Sequence, residues 1–188
     1  KFQKRSPANL ATADFLDAPF EKCPLFGLTQ RVVRERLELS VEQFKDLKCH
    51  AAELNLSFSL SVFDHKSLED AMEIDVPVLK IASHSITNGP LLKAAAATKV
   101  PLVVSMGAAT WKERDAAFEI IKDSPLVLLH CVSSYPCPDK QINLDTINDL
   151  RQRYNCVVGY SGHDEGTDIS AASVLYGASL IERHFTLS

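Results

Sequence analysis

The chain has 188 residues, 46% of them hydrophobic and 23% charged, an ordinary composition for one folded domain, 1–188, with ample length for a core. A net charge of −4 and a pI near 5.9 provide no basic field for nucleic acid or an anionic membrane, and no apolar run approaches the roughly 20 residues that span a bilayer. Five cysteines (Cys23, Cys49, Cys131, Cys137 and Cys156), odd in number and without CxxC spacing, point to free thiols and a cytoplasmic location rather than a disulfide framework.

The chain opens on Lys1-Phe2-Gln3, a short strand, with no signal segment. It starts without Met and stops just past a strand, so it reads as a fragment of a longer protein. Residues 5–39 follow as a long stretch rich in Pro, Ala and charge, a length that marks a functional or disordered loop. Ser40-Val41-Glu42-Gln43 is a capping box, and Phe44, Leu47, Ala51 and Leu54 line one face of the helix it opens. Apolar, β-rich runs then recur at 58–60, 78–81, 102–104, 127–129, 157–160 and 180–181, starting about 20 to 30 residues apart, the length of one βα unit. Helical stretches fill the gaps. Gly89-Pro90 opens one, and Thr110-Trp111-Lys112-Glu113 is a second capping box. Asn143-Leu144 leads into a helix carrying Ile147, Leu150 and Tyr154, and 167–176 is a further helix. The strands are short and lack alternation, as buried parallel strands should. Seven βα units predict a TIM-type (β/α)8 barrel short of one strand. No GxGxxG supports a doubly wound sheet.

Such barrels carry their chemistry at the C-terminal ends of strands. The polar residues there are Lys1 and Gln3, Ser61 and Asp64, Lys80 and Ser83, and Ser105. His130, Ser133 and Tyr135, then Ser161 and His163, then Glu182 and His184 complete the set. Two lysines and several hydroxyls at one mouth make an anion pocket for phosphate or carboxylate. His163, in VGYSGHDEG, and His184, in LIERHFT, end two strands joined by one helix, so both imidazoles reach one point. They suit a divalent transition metal with open positions that polarises a substrate oxygen. Plainer readings stand beside these. His50, His65, His84 and His130 read as structural, Trp111 and 94–97 as packing, Cys131 as a small buried filler, and Tyr135-Pro136 as a turn. Lys80 is either an anion ligand or a side chain snorkelling to solvent.

Taken in order, KFQ, LKIASHSITN, VVSMGAAT, LLHCVSSYPCP, INLDTI, VGYSGHDEG and GASLIERHFTL resemble the sialic acid synthase (N-acetylneuraminate synthase) family over the whole chain. The resemblance implies a TIM barrel that condenses phosphoenolpyruvate with an N-acetylmannosamine-type sugar, an N-acyl hexosamine. The products are phosphate and a nine-carbon 2-keto acid. It implies metal ligation by His163 and His184, with manganese first and magnesium or cobalt as alternatives. Phosphoenolpyruvate ligands would be Lys1, Ser61, Lys80, Ser83, Ser105, Ser133 and Ser161, and sugar contacts Gln3 and Tyr135. Lys80, Glu182 and the two histidines would be catalytic. The family's first strand and its C-terminal antifreeze-like domain, which reaches over the partner's site in a homodimer, would lie outside these residues, so the chain alone is expected to be weakly active or inactive.

Ser85 stands where the family usually carries Asp or Glu, a loss worth about 10²–10⁴-fold if that acid moves a proton. Ser61 for Thr and Ser133 for Asn keep a hydrogen-bonding group, and Gly162 for Asp is a mild departure. Alternatives are a legionaminic- or pseudaminic-type synthase, a non-catalytic barrel that keeps the fold and metal site, and a metal hydrolase, which would need a further ligand. Residues 5–39 would help select the substrate, although Arg31, Arg34 and Arg36 read more simply as a solvated face.

Overall fold

In the computed structural model residues 1–22 and 24–186 are described, so the thiol expected at Cys23 lies outside them. The chain divides into two compact units, Lys1–Leu79 and Lys80–Ser188.

In the first unit β1 (Phe2–Lys4) runs parallel to β2 (Leu60–Val62), with Gln3 opposite Ser61. Residues 5–39 are not a structureless loop. They hold α1 (Pro7–Leu10), α2 (Ala13–Asp17) and α3 (Gln30–Leu37). Thr12 and Thr29 cap the last two by accepting from the Phe15 and Val32 N–H groups, and each helix buries one apolar residue, Leu16 and Val33. Helices this short are marginal alone and owe their stability to that burial. Both halves of the Ser40–Gln43 capping box form at the start of α4 (Val41–Glu53). Of its predicted face only Phe44 is fully buried; Leu54, at the helix end, is exposed. β2 begins two residues later than expected, and Phe58, just before it, stacks on Phe2 at 5.6 Å. A third capping box, Asp64 with Ser67, opens α5 (His65–Ile74), and Asp64 also accepts from the Ser6 N–H at 2.8 Å. This strand-end carboxylate is therefore a cap.

β3 (Leu79–Ile81) is wholly buried. The second unit continues with a 3-10 turn at Ser83–Ser85, α6 (Gly89–Ala97) capped by Asn88, β4 (Leu102–Ser105) and α7 (Trp111–Ile121) behind the predicted Thr110–Glu113 box. β5 (Leu126–Cys131), α8 (Thr146–Tyr154), β6 (Val157–Gly162), α9 (Asp168–Leu175) and β7 (Ile181–Arg183) follow. β4 to β7 pair in parallel, each with the next. Parallel strands alternating with helices are the α/β pattern of the TIM-type fold. β4, β5 and β6 bury most of their residues on both faces, which is why they read as unbroken apolar runs. The last strand, β7, is more exposed.

Candidate active site

In the second unit the site is built on register. Side chains two residues apart on a strand share a face, so Ser161 and His163 at the end of β6 point alike, as do Glu182 and His184 on β7. Ser161 lies opposite Glu182, and its hydroxyl donates to the Glu182 carboxylate at 2.8 Å. Two residues further on, the His163 and His184 rings come within 5.5 Å, centre to centre. Tyr135, which precedes a cis proline, lays its ring 3.9 Å from His163 and 5.9 Å from His184. It is more than a turn residue: it covers the pair.

Lys80, on β3, does not snorkel. It is 3% exposed, and its ammonium donates to Ser105 Oγ at 2.7 Å and to the Ile81 carbonyl at 2.9 Å, with Glu182 at 3.4 Å. An ion this buried needs such partners to offset its lost hydration. Ser83, at the start of the turn after β3, accepts from the Gly107 N–H at 3.1 Å. Gly107 is required to be small: a Cβ there would come within 2.7 Å of the Cys131 carbonyl and 3.1 Å of Ser133 Oγ. The structure thus joins Lys80, Ser83, Ser105, Ser161, Glu182, His163, His184 and Tyr135, with Ser133 held close to Ser83 across Gly107. In the first unit Lys1 Nζ is 3.4 Å from Ser61 Oγ, and Gln3 sits beside Ser61 in register.

The residues fit a metal ion. His163 Nδ1 donates to the Val132 carbonyl at 2.8 Å, which fixes the tautomer and leaves Nε2 as the free electron pair, the usual arrangement of a metal-binding imidazole. Among the described residues the pair is not part of any cluster of three or more His, Cys, Asp or Glu donors, so water or substrate would fill the remaining positions.

Several neighbours escaped the sequence reading. Cys131 is buried, but not merely filler: its sulfur is 4.0 Å from His163 Nδ1. Burial would raise this thiol; contacts with His163, Ser83 and Ser161 outweigh it and hold it below the ordinary range. Burial likewise works against a charged His163, but Cys131, the Val132 carbonyl and the Glu182 charge raise it overall. Asp164 and Arg183, each beside a metal-candidate histidine, pair at 2.6 Å, and Tyr160 donates to Asp164 at 2.5 Å. The signal for this clamp was an acid directly after one candidate histidine and a base directly before the other. His130 is structural as expected, its Nε2 2.6 Å from the Ile142 carbonyl. Trp111 is a shelf for Arg114 and Arg153 rather than core.

The NeuB family model matches residues 1–188. The chain belongs to this family. It is 41% identical, over its whole length and 51% of the relative's, to the N-acetylneuraminate-9-phosphate synthase of Drosophila melanogaster. It is 34% identical, over its whole length and 58% of the relative's, to the N,N'-diacetyllegionaminic acid synthase of Campylobacter jejuni. Among solved structures, the N-acetylneuraminic acid synthetase of Leptospira borgpetersenii, in complex with citrate, superposes with a TM-score of 0.84 at 34% identity, covering all of this chain and 62% of that one. A truncated 3-deoxy-D-arabino-heptulosonate 7-phosphate synthase from Thermotoga maritima shares the fold alone, at 16% identity and a TM-score of 0.69, over 80% of this chain and 64% of that one. This NeuB-family chain spans about half the length of the curated relatives it matches.

Proposed function

We propose that this NeuB-family protein condenses phosphoenolpyruvate with an N-acyl hexosamine of the N-acetylmannosamine type, giving a nine-carbon 2-keto sugar acid and phosphate. The observation that carries the reading is the buried Lys80, with Ser105 and Glu182, joined through Ser161 to a histidine pair whose orientation is set by the Val132 carbonyl. Lys80, Ser83, Ser105, Ser133 and Ser161 would hold the phosphate and carboxylate of phosphoenolpyruvate, supplying orientation and charge stabilisation. A divalent ion on His163 and His184, manganese foremost, would supply Lewis-acid polarisation of the acceptor's aldehyde oxygen. Phosphoenolpyruvate C3 bonds to the aldehyde carbon, water adds at C2, and the C–O bond to phosphate breaks. Glu182, within reach of Lys80 and Ser161, would hold or move the proton of that step. Tyr135 would bound the sugar side. Lys1, Gln3 and Ser61 enter through the family resemblance. A homodimer and a cytoplasmic location belong to the same proposal. Among the described residues no helix is long and apolar enough to cross a membrane.

The test is phosphate release from phosphoenolpyruvate with manganese present, with and without N-acetylmannosamine, its 6-phosphate and diacetamido sugars. Release that needs both metal and one sugar is expected, and it names the acceptor. Ser85 favours a second reading, a barrel without turnover: it is buried, with its hydroxyl 3.1 Å from His84 Nδ1, where the family usually has an acid. No release with any of the sugars, from folded protein that binds manganese, selects that reading.

A further inference from the structure

Behind Ser133 the second unit holds a pocket of about 500 Å³. Its polar walls are Arg114 on α7, Ser133 and Ser134 after β5, and Gln141, Asn143 and Thr146 before and at the start of α8; no Asp or Glu lines it. The Arg114 side chain makes no hydrogen bond or ion pair among the described residues, and its Nε is buried without a partner. The guanidinium rests on the Trp111 ring at 4.7 Å. Arg153 lies over the same ring at 5.4 Å, but both Asp115 oxygens meet it at 2.6 Å. Of two arginines on one indole, one has its carboxylate and the other borders a cavity with none. His130 also lines the wall; burial lowers it, against the Ile142 carbonyl that its Nε2 meets at 2.6 Å. Burial also pulls Arg114 below its ordinary value, as expected of a cation lacking a counter-charge.

We propose that this pocket is an oxyanion subsite that takes a phosphate group, either of a phosphate monoester or as inorganic phosphate, on the Arg114 guanidinium. The planar guanidinium offers paired N–H donors that match two phosphate oxygens. The hydroxyl of Thr146 and the amides of Gln141 and Asn143 offer donors to the third. The pocket borders the reacting groups, because Val132 lines it while its carbonyl orients His163, and Ser133 lines it too. If the synthase reading holds, on which this step rests, the pocket selects an acceptor sugar carrying a phosphate. Phosphate binding by itself does not depend on that reading.

Titration calorimetry with inorganic phosphate tests the site in a Lys80→Met background, which removes the charge of the other anion site while keeping its bulk. Binding is expected to persist there and to weaken at least about tenfold on adding Arg114→Gln, the loss of a charge-assisted hydrogen-bond pair, with Arg114→Lys intermediate. In the parent protein Arg114→Gln alone should remove one phosphate-binding component, which keeps the test open if the double variant misfolds. Phosphate binding unchanged by Arg114→Gln, or absent from folded Lys80→Met protein, overturns the proposal. A preference for hexosamine 6-phosphate over the free hexosamine that disappears with Arg114→Gln assigns the pocket to the acceptor's phosphate. No such preference, with inorganic phosphate still bound through Arg114, assigns it to free phosphate. Because the readout is binding, a protein that never turns over phosphoenolpyruvate leaves the result standing.

Discussion

Lys80 carries an ammonium almost without solvent whose carboxylate partner is Glu182. Lys80→Ala should lower kcat/KM for phosphoenolpyruvate by about 10²-fold or more. It should also cost on the order of 3 kcal/mol of stability, since the change strands a buried partner. Steady-state kinetics and urea unfolding measure the two effects, and unchanged kinetics would remove the anion-pocket reading. His163→Ala and His184→Ala should each abolish metal-dependent turnover while leaving the thermal midpoint nearly unmoved; a variant at full rate would mean the metal assignment is wrong. Gly162 looks a mild departure by type alone. In the structure a Cβ at this position would lie 2.6 Å from Asp164 Oδ1 and from the Tyr160 ring, and 2.7 Å from Arg183. Gly162→Asp should therefore disturb the Asp164–Arg183 pair and lower the thermal midpoint measurably.

Helix caps are where sequence and packing agree most closely. Ser40 and Thr110 open their helices through reciprocal bonds with Gln43 and Glu113, and Ser40→Ala or Thr110→Ala should each cost about 1 kcal/mol in chemical denaturation. Asp64→Ala should cost more than either, because Asp64 also accepts from the Ser6 N–H, 58 residues away in sequence. α7 and α8 are tied by Asp115, which meets Arg153 and the Tyr154 hydroxyl. The Arg153 hydrogen bond, against the cost of burial, holds Asp115 at about 2, and burial with the Asp115 contact pushes Tyr154 up to about 12. Asp115 is depressed, so its contribution is complete above the unfolded carboxylate value near ~3.9 and fades as pH falls toward 2. Tyr154 is raised, so its contribution is complete below the unfolded phenol value near ~10 and fades as pH rises through 12. Asp115→Asn should lower stability between these limits and flatten both flanks of the stability–pH curve. An unaltered curve would mean the cluster does not link the helices.

At the scale of the whole chain, the parallel strand order and the alternating helices were legible from residue patterns. A strand buried on both faces must be apolar throughout, and each helix must carry its own start signal, so both leave marks in local sequence. The histidine pair was legible for the same reason: strand periodicity and the length of one βα unit are local rules. The helices at 7–37 were not. They are short, weakly periodic, and stabilised by burying single residues such as Leu16 and Val33. Nor did local pattern reveal that Lys80 turns inward to Glu182, that Asp164 meets Arg183, or that Arg114 borders an acid-free pocket while its neighbour Arg153 finds Asp115. The sequence by itself determined the strands, most of the helices between them, their order, and which polar residues sit at the strand ends, because hydrophobic periodicity and capping act within a few residues. Only the tertiary structure decided which charges are buried, which are paired and which face a cavity, because those outcomes depend on partners brought together by packing across distant parts of the chain.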